Sequence, residues 1–277
     1  MSTSTLAPVK FLELEITGNC PLRCTHCYAS SGPQEQHSPL TVAQWESIID
    51  QAAAADITAV QFIGGEPTVH PDLPRLIRHA LSRGLRVQIY TNLLHISEEL
   101  WELFTMPGVS LGTSWYSADP QEHAAIVGGS TNAWHRTRAN IARAVELGIP
   151  LQVGIVKVLP DQDVEGAVAD LQALGVSNIN TDAARPVGRA APHGRDPQTV
   201  DLCGRCGDGR AAIGPDGTVT PCVLGRFLPT GNVTQQSLTE IFSGSAWAEA
   251  LAAVPRPGGP ICPPADSNDC MPALRDR

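Results

Sequence analysis

Hydrophobic residues in the first two thirds of the chain alternate between two spacings. Leu12, Leu14 and Ile16 alternate with glutamates, as expected of a strand with one buried face. Helical spacing follows, beginning at a capping box formed by Thr41 and Gln44. Repetition of this pattern predicts six strands, at residues 12–16, 60–63, 85–90, 109–114, 151–158 and 176–181. Helical patterns separate them, at residues 41–52, 73–81, 97–104, 132–147 and 164–174.

This alternation predicts an α/β fold. Parallel neighbours require crossover connections, which are usually helical, so we expect a partial, TIM-like (βα)6 barrel over residues 1–185. Functional residues are then expected at the carboxyl ends of the strands. After residue 185 the chain becomes rich in Gly, Pro and Cys, with a hairpin turn predicted at Asp216 and Gly217. We therefore predict a second, small cysteine-rich domain over residues 186–277.

Charge and cysteine content narrow the function. The formal net charge of −9 argues against a nucleic-acid partner. The chain starts without a signal peptide and has no apolar stretch of membrane-spanning length, so we expect a cytoplasmic protein without a membrane partner. Eight cysteines in such a chain favour metal ligands over disulfides. Three lie near the start and five between residues 203 and 270, which predicts two metal sites.

The first cysteines, Cys20, Cys24 and Cys27, have the spacing C-x3-C-x2-C and follow the first predicted strand. Thiolates are the ligands of iron-sulfur clusters, and a cubane held by three of them keeps one iron open to another ligand. The alternative is a structural zinc site, completed by His26 or His37.

Cysteines with this spacing in the loop after the first strand resemble the signature of the radical S-adenosylmethionine (SAM) superfamily. The resemblance implies a [4Fe-4S] cluster on Cys20, Cys24 and Cys27 whose open iron binds SAM. It also implies reductive cleavage of SAM to a 5′-deoxyadenosyl radical, which abstracts hydrogen from a substrate. An electron donor such as flavodoxin or ferredoxin is then an expected partner.

A second match, Gly64-Gly65-Glu66-Pro67, follows the second predicted strand and resembles the element of this superfamily that binds the methionyl amine of SAM. Glycines permit close backbone approach, and a carboxylate accepts hydrogen bonds from an ammonium group. The resemblance implies further cofactor contacts at His26, Thr91, Asn92, Ser114 and Arg136. For each of these, a strand-end cap or a solvated helix charge is the alternative.

Arg185 lies in a segment, Arg-Pro-Val-Gly-Arg-Ala, that resembles a sequence motif facing the active-site cavity in this superfamily. It suits bidentate binding of a carboxylate, with a surface ion pair as the alternative. Tyr28, Trp115 and Tyr116 are candidate cavity residues, and core packing explains them equally well.

The C-terminal region resembles the auxiliary-cluster extensions called SPASM or twitch domains. Its five cysteines are Cys203, Cys206, Cys222, Cys262 and Cys270. The resemblance implies one auxiliary [4Fe-4S] cluster and one spare cysteine, either a buried thiol or a hydrogen-atom donor. Zinc is the alternative for the Cys203-x2-Cys206 pair.

The resemblance is closest to enzymes that modify ribosomally made peptides by crosslinking, thioether formation or epimerisation. A precursor peptide is then the substrate. Because little sequence precedes the first predicted strand, we expect a leader peptide to require either a separate leader-peptide-binding protein or a groove that the sequence does not reveal. The alternatives are a radical dehydrogenase or related enzyme acting on a carbohydrate or small metabolite and, from another class, a structural zinc-binding interaction protein.

Overall fold

The structure, a computed structural model, describes residues 8–255. The strands are β1 (Phe11–Thr17), β2 (Ala59–Gly64), β3 (Arg86–Tyr90), β4 (Val109–Trp115), β5 (Leu151–Lys157), β6 (Asn178–Ala183), β7 (Arg210–Ile213), β8 (Thr218–Thr220) and β9 (Gly231–Asn232). The helices are α1 (Val42–Ala54), α2 (Leu73–Ser82), α3 (Glu98–Phe104), α4 (Pro120–Val127), α5 (Thr131–Glu146), α6 (Val164–Ala173), α7 (Leu238–Ser243) and α8 (Ser245–Ala253).

The first six strands form a parallel sheet in the order β6-β5-β4-β3-β2-β1. A helical connection joins each strand to the next, so the predicted strand-helix alternation and the α/β fold class are confirmed. Helix α4 was not predicted from the sequence. It has eight residues, begins at the side-chain cap of Asp119 and ends at Gly128 in a left-handed conformation (φ 63°).

The chain beyond residue 185 continues the same sheet. Strand β7 pairs in parallel with β1, with Leu12 opposite Ala211 and Leu14 opposite Ile213. Strands β8 and β9 then add in antiparallel fashion, which makes a nine-stranded sheet. The predicted hairpin at Asp216 and Gly217 is confirmed as the β7–β8 turn. Nothing in the local sequence predicted that this hairpin would join the edge of β1.

Both faces of β1 are buried, whereas its sequence predicted one buried face. Leu12 and Leu14 pack with the helices in the main hydrophobic core. On the opposite face Glu13 is 3% and Glu15 is 2% exposed. The carboxylate of Glu15 forms an ion pair with Arg226 (2.5 Å), and Glu13 Oε2 accepts a hydrogen bond from the backbone N–H of Val223 (3.3 Å). The C-terminal segment therefore covers the polar face of the strand.

Among residues 8–255, no helix combines the length and apolar character needed to cross a membrane.

Candidate active site

One cavity of about 320 Å³ lies on the concave side of the sheet. Each of the six parallel strands contributes a lining residue, from β1 to β6 these being Glu13, Gln61, Tyr90, Ser114, Gln152 and Asn180. Because all six strands line a single space, the sheet curves around it as a partial barrel.

The loop between β1 and α1 brings Cys20, Cys24 and Cys27 to this cavity. The loop is held to its surroundings through its backbone. The N–H of Cys20 donates to the carbonyl of Gly32 (3.1 Å), and the N–H of Arg23 donates to the carbonyl of Val127 at the end of α4 (3.1 Å). Asn92 Nδ2 also donates to Cys20 Sγ (3.7 Å). The thiols therefore occupy defined positions.

Two of these thiols, Cys20 and Cys24, lie in a region unfavourable for bare thiolates. Burial, together with the neighbouring Glu66, raises the pKa of Cys20 to about 12. Burial and the neighbouring Cys20 and Cys27 raise the pKa of Cys24 to about 12. Bound metal supplies the positive charge that keeps coordinating thiols deprotonated. Three thiols lining one cavity, Cys20 buried and the other two partly buried, therefore fit a cluster held by three cysteines.

The Gly64–Pro67 turn packs directly against the start of the cysteine loop. The N–H of Gly65 donates to the carbonyl of Thr17 (2.6 Å), and the N–H of Glu66 donates to the carbonyl of Asn19 (2.8 Å). A Cβ atom on Gly65 would overlap the Asn19 carbonyl oxygen. This close approach explains why position 65 requires a residue without a side chain.

Glu66 ties the ends of β2 and β3 together. Its Oε1 accepts hydrogen bonds from Thr91 Oγ1 (2.6 Å) and from Thr68 Oγ1 (2.7 Å), and its Oε2 accepts one from the Asn92 N–H (2.7 Å). Burial raises the pKa of Glu66, while these hydrogen bonds lower it. Neither Glu66 nor Pro67 is among the cavity-lining residues, and contact between Glu66 and an ammonium group stays a prediction.

Most of the other predicted cofactor contacts meet at the cavity, namely His26, Tyr28, Gly64, Gly65, Thr91, Asn92, Ser114 and Arg185. His26 Nε2 and the hydroxyl of Tyr116 are 3.1 Å apart. Burial, and to a smaller extent the charge of Arg189, lowers the pKa of His26 to about 4, so its ring is neutral near pH 7. Arg185 forms a largely buried ion pair with Asp182 (3.1 Å) at the cavity wall.

Arg136 and Trp115 are placed elsewhere. Arg136 is exposed on α5, and its Nη1 contacts the ring of His95 (2.9 Å). The next residue, Thr137, lines the cavity instead and donates from Oγ1 to the carbonyl of Asn92 (2.9 Å). Trp115 points into the helix-packed core. Consecutive residues of a helix point in different directions, so α5 directs Thr137 toward the cavity and Arg136 toward solvent.

Polar residues inside the barrel were not predicted from the sequence. Gln61 is fully buried, lines the cavity and donates from Nε2 to Gln88 Oε1 (2.7 Å). The Oε1 atom of Gln61 has no hydrogen-bond partner within residues 8–255. The signal was present in the sequence, because Gln61 and Gln88 alternate with apolar residues in their strands.

A second group of thiols, Cys203, Cys206 and Cys222, lines the same cavity. Cys206 Sγ and Cys222 Sγ are 3.0 Å apart. Hydrogen bonds with Cys203 and Cys222, together with burial, raise the pKa of Cys206. The donor set fits a second thiolate-held cluster. The remaining predicted ligands, Cys262 and Cys270, lie outside the described residues.

Within residues 8–255, no group of three or more His, Cys, Asp and Glu side chains is arranged around the position of a single metal ion.

Two family models match the chain. The model of the radical SAM superfamily matches residues 14–171, and the SPASM model, described as an iron-sulfur cluster-binding domain, matches residues 199–270. The second match spans all five C-terminal cysteines.

The chain is similar to curated proteins named PqqA peptide cyclase. The protein from Streptomyces rochei is 35% identical over 179 residues, which is 62% of this chain and 47% of the relative. The protein from Granulibacter bethesdensis is 30% identical over 199 residues, 66% of this chain and 53% of the relative. The chain thus spans about half the length of the curated relatives it matches.

The fold is also found in a solved structure, that of Streptococcus suis SuiB bound to precursor peptide SuiA. The TM-score is 0.74 at 15% identity, with 89% of this chain and 67% of the other covered. At this level of sequence identity, the similarity shows a shared fold and nothing about activity.

Proposed function

Because this chain belongs to the radical SAM superfamily, we propose that it cleaves SAM at a cluster held by Cys20, Cys24 and Cys27 and abstracts hydrogen from a peptide. The observation that carries the proposal is that Cys20, Cys24 and Cys27 line the same cavity as Cys203, Cys206 and Cys222. A substrate bound there lies between two cluster-binding sites.

The two clusters and SAM, when bound, supply a strongly reducing electron, a radical source and an electron acceptor. The chain's own residues bind and orient these groups and the substrate. The neutral ring of His26, held beside Tyr116, forms one wall of the cavity. Apolar residues line much of the remainder, including Leu22, Ile63, Val127 and Ile155, and they exclude water from a reactive intermediate.

The names of the curated relatives support a peptide as the substrate, because PqqA peptide cyclases are named for acting on a peptide. The cavity suits such a substrate. Polar side chains of several strands line it, among them Ser114, Gln152 and Asn180, and such groups can form hydrogen bonds with peptide amides. We infer crosslinking, thioether formation or epimerisation of a precursor peptide, with a separate leader-binding protein and an electron donor of the flavodoxin or ferredoxin type. The cytoplasm, which keeps thiols reduced, is the proposed location.

The cluster assignment is tested by iron content and SAM cleavage. After anaerobic reconstitution we expect about eight irons per chain for two cubanes. Replacement of Cys20, Cys24 and Cys27 together by alanine should reduce this to about four and abolish 5′-deoxyadenosine formation after reduction. Colourless wild-type protein with stoichiometric zinc and no iron would contradict the proposal.

The substrate is tested with a synthetic peptide encoded by a short reading frame next to the gene. A crosslink or thioether removes two hydrogen atoms from the peptide, whereas epimerisation in D2O replaces one hydrogen atom with deuterium and changes nothing else. Mass spectrometry separates these outcomes. An unmodified peptide, combined with oxidation of a carbohydrate, would favour the radical dehydrogenase instead.

A further inference from the structure

Arg189 connects the segment after β6 to the cysteine loop. Its backbone N–H donates to the carbonyl of Cys27 (3.0 Å), and its Nε donates to the carbonyl of Cys24 (2.8 Å). Both acceptors belong to the backbone of candidate cluster ligands. One residue, distant in sequence, therefore holds this loop at two points.

The preceding residue, Gly188, makes this contact possible. Its φ of 62° lies in the left-handed region, and a Cβ atom there would overlap the carbonyl oxygens of Cys27 and Tyr28. The segment thus lies directly on the loop, with a glycine where the two backbones meet. Arg189 is positioned by the backbone as well as by its side chain.

The guanidinium group of Arg189 also brings a positive charge to the cysteines. Arg189 lines the cavity together with Cys24 and Cys27. Its Nη2 is buried and has no hydrogen-bond partner within residues 8–255. A buried cation is costly unless an anion lies nearby. The cysteine thiolates of a bound cluster would provide that negative charge.

We propose that Arg189 is a positioning residue of the first cluster: it braces the cysteine loop and supplies the positive charge that sets the cluster's reduction potential. Net charge and hydrogen bonding around the sulfurs are known determinants of such potentials. Reduction adds negative charge, so a nearby cation favours the reduced state. This inference rests on the proposed function only in requiring that a cluster binds Cys20, Cys24 and Cys27.

The test is a redox titration followed by electron paramagnetic resonance, carried out on full-length protein without SAM. The signal of the first cluster is identified as the one missing from the variant in which Cys20, Cys24 and Cys27 are alanine. Arg189→Met removes the charge and Arg189→Lys retains it. Arg195→Met is the matched control, because Arg195 follows in the same segment and pairs with Asp201 (2.7 Å) instead.

In Arg189→Met we expect the ratio of reduced to oxidised first cluster at a fixed potential to fall about tenfold, a shift of about 59 mV to more negative potential. Arg189→Lys and Arg195→Met should stay within about threefold of wild type. A loaded Arg189→Met protein with the wild-type ratio overturns the proposal. The titration contains no SAM, so an arginine that acted only by binding a carboxylate of SAM would also leave the ratio unchanged.

If Arg189→Met does not retain iron at the loop, the Arg189→Lys variant tests whether the positive charge is required. A loaded Arg189→Lys protein with a ratio near wild type supports the role of charge. An Arg189→Lys protein that also lacks iron, or shows the tenfold fall, overturns it. Failure of the proposed function is distinguishable from all of these, because the wild-type protein would then show no signal from the first cluster.

Discussion

Two glycines, each at a point where two segments of backbone cross, allow the cysteine loop to take its position. The absence of a side chain at Gly65 allows the turn after β2 to hydrogen-bond with Thr17, and its neighbour Glu66 with Asn19. The absence of one at Gly188 allows the segment after β6 to reach Cys27. Each crossing brings a distant part of the chain to within hydrogen-bonding distance of the loop. The loop geometry therefore depends on residues that carry no functional group.

Gly65→Ala tests the first crossing. The new Cβ would overlap the Asn19 carbonyl oxygen, and we expect a loss of about 1–3 kcal/mol in the free energy of unfolding, as for other overpacking changes. Iron bound at Cys20, Cys24 and Cys27 should fall as well, because the loop must move. Urea unfolding and iron analysis measure the two effects.

Gly32→Ala is the control for this change. Gly32 lies in the same loop, with no atom within 4 Å of the position of an added Cβ. Gly32→Ala should change the free energy of unfolding by less than about 0.5 kcal/mol. Equal losses in the two variants would show that close approach at Gly65 is not the cause.

At the scale of elements, β1 is the strand on which the two parts of the molecule meet. Its leucines pack against the helices, and its glutamates contact residues that follow Cys222. Burial raises the pKa of Glu13 to about 7 and also raises the pKa of Glu15, and the charge of Arg226 opposes the shift at Glu15. The ion pair between Glu15 and Arg226 therefore compensates a carboxylate that is otherwise costly to bury.

Arg226→Met should destabilise the protein by about 2 kcal/mol, because it removes the cation beside the buried Glu15. The expected loss is below that of a fully buried pair, since 36% of the Arg226 side chain is exposed. The free energy of unfolding in urea measures the change.

Arg78→Met is the matched control, because Arg78 and Glu99 are both more than half exposed. That variant should lose less than about 1 kcal/mol. The double variant Glu15→Met, Arg226→Met should recover part of the loss, since it also removes the buried carboxylate of Glu15 that the single variant leaves unpaired. A loss in Arg226→Met no larger than in Arg78→Met would contradict a stabilising role for the buried pair.

At the scale of the whole molecule, the barrel and the C-terminal segment share one sheet and one core. Ile213, Val219, Leu238 and Ile241 belong to the same buried cluster as Leu12. Strand β7 also covers the edge of β1, which would otherwise be open to pairing with another chain. The barrel strands therefore depend on the segment that follows them.

A chain ending at residue 185 should not fold into a stable monomer. It loses Ile213, Val219, Leu238 and Ile241 from the core, each worth about 2 kcal/mol, among other residues, and this sum is comparable with the stability of an ordinary domain. Size-exclusion chromatography and circular dichroism, with the full chain as reference, should show aggregated or poorly structured protein. A monodisperse truncated chain with a cooperative thermal transition would show that residues 1–185 fold independently.

The local elements could be predicted from the sequence because their determinants lie close together in the chain. Alternation in β1, the capping box of Thr41 and Gln44, and the hairpin turn at Gly217 each depend on neighbouring residues. The six parallel strands followed from the repeat of such patterns. The cysteine spacing and the Gly64–Pro67 turn predicted the candidate first site for the same reason.

Contacts between distant residues were decided only by the tertiary structure. Packing chose Thr137 over Arg136 for the cavity, buried Glu13 and Glu15, and attached β7 to β1. It also brought Arg189 to Cys24, across 165 residues of sequence. Local patterns show that a strand has a polar face, but what covers that face depends on how all the elements pack together. The shared cavity between the two groups of cysteines is a property of that packing.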